Sequence, residues 1–434
     1  MAQWNKSIQD YLNQERTLFE VYMQADRYGE IFDPVGQGFN GDLFGRVKVS
    51  NPYTLFDSTH RYEQDGDFSD VILGAGSTVG IITAQSTATL GIGTTAGCSF
   101  IRESKRVFSY QPGKALQVLQ TFVFNPAQTN LIQRAGYASS ENGIMLELNG
   151  SQLNLIKRTS ISGVTTTITV PQSQWNRDTL NGTGFSTSNP SGIALDISKA
   201  QLMFTEYEWL GVGCARVGFV NSNGKFHIAH VFNHANILDS TYMTTATLPV
   251  RYEIFNTGVT TSPSTMKQIC VSIQSNGGYE KKVASDVARQ DSLIGVGVTT
   301  FIPLVSIRLK AGREDAVVIP SQINCLPDSA TSVYYEVALI KNATISGGTW
   351  TNSSSPNVEQ NTTATSISGG TVVRAEYISS ANKASTPLNE TTEYNWDLQL
   401  GRTQAKVSDT YTLAVRAISG SGNAIGSLSF YDLT

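Results

Sequence analysis

The sequence predicts an all-β protein with two antiparallel β-sandwich domains of jelly-roll-like type, preceded by a short N-terminal helical or extended anchoring segment. Charged residues make up only 15% of the 434 residues, and Thr, Ser, Asn and Gly, which suit strand faces and tight turns, take their place. Beyond Arg46 the chain becomes a series of short alternating runs separated by turn residues. Because a single core seldom grows beyond about 250–300 residues, this length also predicts at least two packed units.

The N-terminal segment, residues 1–44, is expected to anchor the chain. Ser7 can cap a short helix in which Ile8 and Tyr11 share one face. From Thr17 the apolar residues alternate instead, which predicts extended chain. We interpret this stretch as a small anchoring segment that ends before Arg46.

The first sandwich is predicted over residues 45–258. Two hairpins are predicted, each with an Asn-Gly pair in the turn between two runs of alternating apolar and polar residues. These hairpins join Ile144–Leu148 to Gln152–Ile156 and Ala215–Val220 to Lys225–Val231. Together they favour an antiparallel sandwich.

A polar stretch, residues 259–290, is interpreted as a linker, and a second sandwich is predicted over residues 291–434. Eight short candidate strands without a helical pattern between them favour a jelly roll or a related sandwich there. They are Phe301–Leu309, Ala316–Ile319, Ser332–Ile340, Val358–Ser366, Thr371–Ile378, Tyr394–Leu400, Tyr411–Ile418 and Leu428–Tyr431.

Charge and motifs exclude several classes of function. A net charge of -4 and no basic cluster argue against a nucleic-acid partner. No apolar run of about 18 residues is present, so we expect no membrane insertion. The chain has no P-loop, no GxSxG elbow and no kinase signature, so we predict no enzyme activity, no catalytic residues and no cofactor. Paired carboxylates on distant strands leave a glycan-degrading enzyme as an alternative.

Two groups of residues invite a metal hypothesis. His227, His230 and His234 lie close in sequence, but strand residues three apart face opposite sides, which favours hydrogen-bonding histidines over a metal site. Asp65, Asp67 and Asp70 fall within six residues, as in calcium-binding loops, yet they lack the EF-hand register. A solvated acidic turn is favoured, and a calcium site is the alternative.

Other candidates have simpler interpretations as well. The run Gly36–Gly41 matches GxGxxG without a strand before it or a helix after it, which indicates a glycine-rich turn. Glu206 and Glu208, beside Tyr207 and Trp209, could contact a sugar, but an ordinary strand with a polar outer face is favoured. The four cysteines, which form no CxxC pair, are predicted to be reduced and buried, namely Cys98, Cys214, Cys270 and Cys325.

The segment from Trp175 to Asn236 carries a resemblance to a known family. It contains Trp175-Asn176-Arg177-Asp178, Gly182-Thr183-Gly184, Glu208-Trp209-Leu210-Gly211-Val212-Gly213 and His230-Val231-Phe232-Asn233-His234. This block resembles one that recurs in virion structural proteins of tailed phages, particularly those infecting cyanobacteria. The insertion Phe185–Pro190 departs from the pattern. Shorter resemblances of the same kind lie at Met1–Asn5 with Thr17–Val21, and at Pro303–Leu309 with Ala364–Thr371.

The resemblance implies a component of the virion and brings no catalytic residues with it. We expect a tail, baseplate or fibre-associated protein that contacts other virion proteins through its N-terminal segment and forms a homotrimer. One alternative is a host-receptor or glycan-binding adhesion protein. Another is a capsid-surface decoration protein.

Overall fold

The computed structural model describes residues 51–182, 184–280, 286–380, 384–387 and 395–434, and over these ranges the predicted fold class is confirmed. The described part of the chain is built from antiparallel β-sheets, with three short 3-10 helices at Thr83–Gln85, Gln172–Gln174 and Trp396–Leu398. The expected anchoring segment, residues 1–44, and the glycine run Gly36–Gly41 lie outside the described residues.

The first sandwich contains fifteen strands among the residues that the structure describes. In chain order they are β1 (Pro52–Ser58), β2 (Phe68–Leu73), β3 (Thr78–Ile82), β4 (Thr87–Ile92), β5 (Ser99–Ser104), β6 (Ala115–Val123), β7 (Leu131–Ala138), β8 (Gly143–Asn149), β9 (Gln152–Thr159), β10 (Thr166–Pro171), β11 (Gln201–Tyr207), β12 (Ala215–Val220), β13 (Phe226–Phe232), β14 (Val250–Asn256) and β15 (Ser264–Asn276).

Two sheets face each other in this sandwich. One has seven strands in the order β10-β9-β8-β7-β14-β5-β2. The other has eight, in the order β13-β12-β11-β6-β15-β4-β3, with β1 also paired to β15. Strands such as β6 alternate along their length, so that Leu116, Val118 and Phe122 enter the core between the sheets. The two sheets thereby bury one continuous apolar layer.

The second sandwich is smaller and has its own core. Its strands are β16 (Asp286–Arg289), β17 (Ile294–Val296), β18 (Ile302–Leu309), β19 (Val318–Asp328), β20 (Tyr334–Lys341), β21 (Thr344–Ser346), β22 (Thr351–Asn352), β23 (Val358–Asn361), β24 (Ser366–Ser368), β25 (Thr371–Ser379), β26 (Ala384–Pro387), β27 (Thr410–Ala417) and β28 (Gly422–Asp432). One sheet runs β16-β28-β19-β26, with β17 beside β28, and the other runs β22-β23-β18-β27-β20-β25. Strands β21 and β24 form a separate pair.

Both predicted hairpins are confirmed. β8 pairs with β9, with Asn149 opposite Gln152, and Gly150 adopts a φ of 58° that glycine accepts without strain. β12 pairs with β13 across the longer Asn-Gly turn. Local turn chemistry therefore predicted these two elements correctly.

The prediction of a linker over residues 259–290 is wrong. Within residues 259–290, β15 is a thirteen-residue strand at the centre of the eight-stranded sheet, and β16 already pairs with β28 in the second sandwich. The alternation of β15 is interrupted by a β-bulge between Gln268 and Cys270. Because a bulge shifts which residues face the core, the stretch does not show an unbroken period of two.

One of the eight strands predicted for the second sandwich is also wrong. The stretch Tyr394–Leu400 contains the 3-10 helix Trp396–Leu398 where it is described. Its apolar residues enter two different hydrophobic cores, since Trp396 packs into the core of the first sandwich and Leu400 into that of the second. The apolar residues of this stretch alternate because it lies between the two sandwiches, and not because it forms a strand.

That segment forms the contact between the two sandwiches. Trp396 donates from Nε1 to the Tyr53 hydroxyl (3.1 Å) and accepts from Arg106 Nη1 at its carbonyl (2.8 Å). Gln399 Nε2 donates to the carbonyl of Val107 (2.8 Å). The second sandwich is thus fixed to the first by buried apolar contact together with directed hydrogen bonds.

The described residues contain no helix that meets the length and hydropathy required to cross a membrane.

Candidate functional site

The outward side of the seven-stranded sheet is the best candidate for a functional site. On β7 and β14, residues that face the core alternate with charged residues that face away from it, such as Arg134, Arg251 and Glu253. We call the outward charged residues of this sheet, together with Arg402, the charged face. Its members are Glu103, Arg134, Glu147, Arg158, Arg251, Glu253 and Arg402.

Strand register places these side chains in rows across the sheet. Glu253 lies opposite Ile101 on one side and Arg134 on the other, and Arg134 lies opposite Glu147 on the next strand. Directly opposite residues in an antiparallel pair have Cβ atoms about 4.5–5.5 Å apart. Opposite charges therefore meet strand by strand.

Ion pairs connect the members of the charged face. Arg134 contacts Glu147 (Nη2 to Oε2, 2.7 Å) and Glu253 (Nη1 to Oε2, 2.8 Å). Arg158 donates from Nη1 and Nη2 to the two carboxylate oxygens of Glu253, at 3.0 Å each. Arg251 donates from Nε to Glu253 (2.6 Å). Glu253 is therefore the centre of the network.

The network continues towards the second sandwich. Arg251 also pairs with Glu103, which in turn accepts from Arg402 Nη1 (2.6 Å). Four arginines face three glutamates, so the charged face carries one positive charge in excess. A charged residue of the second sandwich thus takes part in the site on the first.

Burial and charge act in opposite directions on Glu253. Burial would raise the pKa of this carboxyl group, but hydrogen bonds from Arg158 and the charges of Arg251, Arg158 and Arg134 outweigh it and hold the pKa well below its usual range. In the same way the two glutamates raise the pKa of Arg134 despite its burial. Glu253 and Arg134 therefore form a charged pair at neutral pH.

A groove of about 510 Å³ opens over this network. Its lining includes Arg134, Arg158, Glu253, the hydroxyl-bearing Thr167 and the partly exposed ring of Phe255. The guanidinium carbon of Arg134 lies 5.0 Å from the centre of that ring. The groove therefore offers fixed hydrogen-bond donors next to an apolar ring, which is a usual composition for a ligand site.

A larger groove of about 730 Å³ lies on the second sandwich. It is formed by the turn Lys310–Arg313 and the loop Asn352–Pro356. Lys310 Nζ already donates to the side chain of Asn352 (2.9 Å), and Arg313 is exposed. The long side chains of Lys310 and Arg313 have fewer fixed partners than those of the charged face. We therefore favour the smaller groove.

The structure gives each candidate histidine its own hydrogen-bond partners. His230 Nδ1 accepts from the backbone N–H of Asn176 (3.2 Å), and His227 Nε2 lies 3.0 Å from the Asn221 amide. This agrees with the hydrogen-bonding interpretation. Within the described ranges, no three His, Cys, Asp or Glu side chains come together in a way that could hold a metal ion.

His234 belongs to a buried pair that sequence reasoning missed. Its Nε2 lies 2.7 Å from Lys157 Nζ, and its Nδ1 lies 2.6 Å from the carbonyl oxygen of Gly213. These partners assign the proton of the neutral ring to Nδ1 and make Nε2 the acceptor. Burial lowers the pKa of Lys157 to about 8 and that of His234 to about 4, so a charged lysine meets a neutral histidine.

The three aspartates of the acidic turn do not converge on one point. Asp70 pairs with Arg102 (2.8 Å) and Asp67 with Arg106 (2.6 Å). Asp65 Oδ1 instead accepts the backbone N–H of Asp67 (2.9 Å). Two of the carboxylates are therefore engaged by different guanidinium groups, as in structural ion pairs.

Glu206 and Glu208 are both buried, so the expected polar outer face is wrong at these positions. Glu206 receives hydrogen bonds from Arg216 Nε (2.7 Å) and Asn276 Nδ2 (2.8 Å). Glu208 lies beyond the end of β11 and accepts from the Tyr110 hydroxyl (3.3 Å). Hydrogen-bond partners on neighbouring elements allow such burial, and the pattern of a single strand does not reveal them.

The cysteine prediction holds for two of the four residues. Cys98 and Cys325 are buried free thiols, whereas Cys214 and Cys270 are only partly buried. Burial raises the pKa of the Cys325 thiol to about 12. A thiol of that kind is unreactive at neutral pH.

Two local features within Trp175–Asn236 hold backbone segments together. Asp178 accepts the backbone N–H groups of Leu180 and Ser191, both at 3.0 Å. At Gly213 a Cβ atom would lie 1.6 Å from the carbonyl oxygen of Glu208. The block therefore acts as scaffolding in which backbone segments approach one another closely.

No family model matches the chain, and no curated protein matches it either. Among solved structures, it is similar to the carbohydrate recognition domain of Emp47p, with 9% identity and a TM-score of 0.30, over 54% of this chain and all of that one. A legume lectin-like domain from Entamoeba histolytica has 9% identity and a TM-score of 0.29 over 54% and 100%. The CBM2 module of the evolved Dit of Lactobacillus casei BL23 phage J-1 has 7% identity and a TM-score of 0.32 over 53% and 98%. Scores this low assign no function.

Proposed function

We propose that this chain is a non-catalytic structural component of a tailed-phage virion, associated with the tail, baseplate or a fibre, and that its charged face binds a glycan. The virion role is supported by the resemblance carried by Trp175–Asn236. The glycan role is supported by the groove above the charged face, which is the observation that carries it.

The groove is preorganised for ligands rich in hydroxyl groups. A guanidinium has five N–H donors, and the ion pairs of Arg134 engage its Nε, Nη1 and Nη2 atoms once each. Its remaining N–H groups are held in a fixed orientation at the lining of the groove. Binding therefore requires little ordering of side chains, and the ring of Phe255 can cover an apolar sugar face.

The same network argues against glycan cleavage. A glycosidase needs a carboxylic acid whose pKa is raised, so that it can protonate the leaving group. Glu253 has the opposite property, since its pKa is held low by three arginines. A fixed, ionised carboxylate of this kind supports recognition and not acid catalysis.

Glycan binding is tested with the full chain on a glycan array and on host-envelope material. We expect binding that Phe255→Ser weakens at least about tenfold, since loss of a stacked ring removes about 1.5 kcal/mol. The matched control is Phe185→Ser, which changes a ring that is more exposed and lies outside the groove. Equal binding by both variants, or no binding by the unaltered chain, would refute the glycan role.

The virion role is tested separately. Mass spectrometry of purified particles should detect the chain, and gold labelling with electron microscopy should locate it at the tail, baseplate or fibres, as opposed to the capsid surface. A chain without residues 1–44 should fold but fail to join the particle. Detection of the chain only outside purified particles would contradict this role without affecting the glycan proposal.

A further inference from the structure

Strand β25 is an exposed edge of the second sandwich. It ends the six-stranded sheet beyond β20, and among the described strands none pairs with its other side. Val372 is 49% exposed and Tyr377 72% exposed. A long edge strand with exposed apolar side chains is a template for pairing with another chain.

The hydrogen-bonding direction along β25 follows from its pairing with β20. The backbone N–H of Ser380 donates to the carbonyl of Val333 (2.9 Å), and the antiparallel register is regular from there to Arg374, which lies opposite Leu339. Residues that bond towards β20 alternate with residues that do not. The N–H and C=O groups of Ala375 therefore point away from β20, towards the open edge.

The sequence of β25 is complementary to itself when a second copy runs antiparallel to it. With Ala375 opposite its own copy, Arg374 meets Glu376, Val373 meets Tyr377 and Val372 meets Ile378. Thr371 and Ser379 close the two ends. Between these ends, charge meets opposite charge and apolar residues meet apolar residues at every pair of this register.

We propose that β25 is a homodimer surface, on which two copies of this chain pair edge to edge about a twofold axis at Ala375. The two Ala375 residues exchange a pair of backbone hydrogen bonds, and Arg374 of each copy lies opposite Glu376 of the other. Charged residues on an edge usually prevent such pairing. Arg374 Nε already lies 3.3 Å from Glu376 Oε1 within one strand, and this register adds two attractive cross-strand pairs between the copies. The two six-stranded sheets become one continuous sheet.

The contact is short, which limits its strength. A bulge at Val373 interrupts the regular register with β20, so the regular part of the new pairing is centred on residues 374–376. Interfaces of this size are weak, and we expect a dissociation constant in the micromolar range. A twofold contact uses the same surface on both copies, so the homotrimer expected from the sequence would need a different surface.

Sedimentation velocity of the full chain over a range of micromolar concentrations tests the dimer. We expect a monomer–dimer equilibrium, and Ala375→Pro should shift it to monomer, because proline removes the N–H at the centre of the pairing. Proline is tolerated on an edge strand where the N–H faces outwards, so the melting temperature should change little. A monomer at every concentration, or a trimer, would overturn the proposal.

Exchanging charges tests the register. Arg374→Glu should raise the dissociation constant about tenfold by placing like charges opposite each other twice, and the double variant Arg374→Glu with Glu376→Arg should restore it. The matched control is Arg416→Glu, which breaks a partly exposed ion pair with Glu336 on the same sheet but away from the edge. A dimer unaffected by Arg374→Glu would show that another surface is used.

Cross-linking gives a third readout that does not depend on affinity. Residues opposite each other in a hydrogen-bonded antiparallel pair have Cα atoms about 5.5 Å apart, within the range for a disulfide. Ala375→Cys should therefore form a covalent dimer on mild oxidation, above the background from the native cysteines. Thr371→Cys should not, since the two copies would lie at opposite ends of the pairing. The reverse result would overturn the twofold axis at Ala375.

Discussion

At the scale of single residues, Lys157 is the least expected feature of the first sandwich. It belongs to the core-facing side of β9, where Leu153 and Leu155 precede it. Its ammonium group has His234 as a hydrogen-bond acceptor and lies 5.5 Å from the ring centre of Tyr242. A neutral acceptor and an aromatic ring replace only part of the hydration that burial removes.

This lysine should make stability depend on pH. Its pKa is about 8 in the folded protein and 10.5 in the unfolded chain. Between these values the unfolded chain binds more protons, so the free energy of unfolding rises with pH. We expect Lys157 to contribute a rise of about 2 kcal/mol between pH 7 and 9.5, and Lys157→Met to lack it.

Urea unfolding at several pH values, compared between the two proteins, measures this contribution. The comparison removes the effects of other titrating groups that both proteins share. The control is Lys267→Met, at a partly exposed lysine that donates to Gln85, and it should keep the rise. Parallel pH curves for Lys157→Met and the unaltered chain would contradict the buried-charge interpretation.

At the scale of elements, the seven-stranded sheet is built differently on its two sides. One side faces an apolar core, whereas the other is held by ion pairs centred on Glu253. Breaking a buried pair by removing one partner costs more than the pair contributes net, because uncompensated charges remain. Glu253 is therefore the position at which this sheet is most sensitive to loss of charge.

Glu253→Gln should lower the free energy of unfolding by about 3 kcal/mol, because three arginines lose their common carboxylate. Urea unfolding at pH 7 measures the change. The matched control is Glu359→Gln, which affects a more exposed pair with Arg308 and should cost less than about 1 kcal/mol. Similar costs for both variants would show that the network is not buried in the way described.

Elements differed in how far they could be predicted. The hairpin around Asn149-Gly150 was predictable because its turn and both alternating runs are local in sequence. β15 was not, because its bulge conceals the alternation and its neighbours in the sheet are distant. The charged face escaped prediction for a similar reason: Arg134 and Glu253, 119 positions apart, become neighbours only through the register of β7 and β14.

At the scale of the whole molecule, the two sandwiches are joined through Trp396. Its indole ring is buried against Tyr279, with ring centres 5.1 Å apart at 89°, and its core contacts belong to the first sandwich although it follows β26 of the second. An interface with buried apolar contact and several hydrogen bonds should couple the unfolding of the two bodies.

Trp396→Ala should uncouple the two sandwiches. Removing a buried tryptophan costs about 3–5 kcal/mol, and here the loss falls on the contact between the bodies. Differential scanning calorimetry should show one transition for the unaltered chain and two for the variant. Trp350→Ala, at a ring that stacks with Arg308 within the second sandwich, should lower the melting temperature without splitting the transition. A single transition for Trp396→Ala would contradict this coupling.

The sequence by itself determined that this chain folds as antiparallel β-sandwiches, because the period of side-chain alternation and the chemistry of turns act over a few neighbouring residues. Only the tertiary structure decided which charges meet on the seven-stranded sheet, that β15 completes the first sandwich, and that β25 is left at an edge. Those outcomes depend on strand order and register, which arise from contacts between residues far apart in the chain.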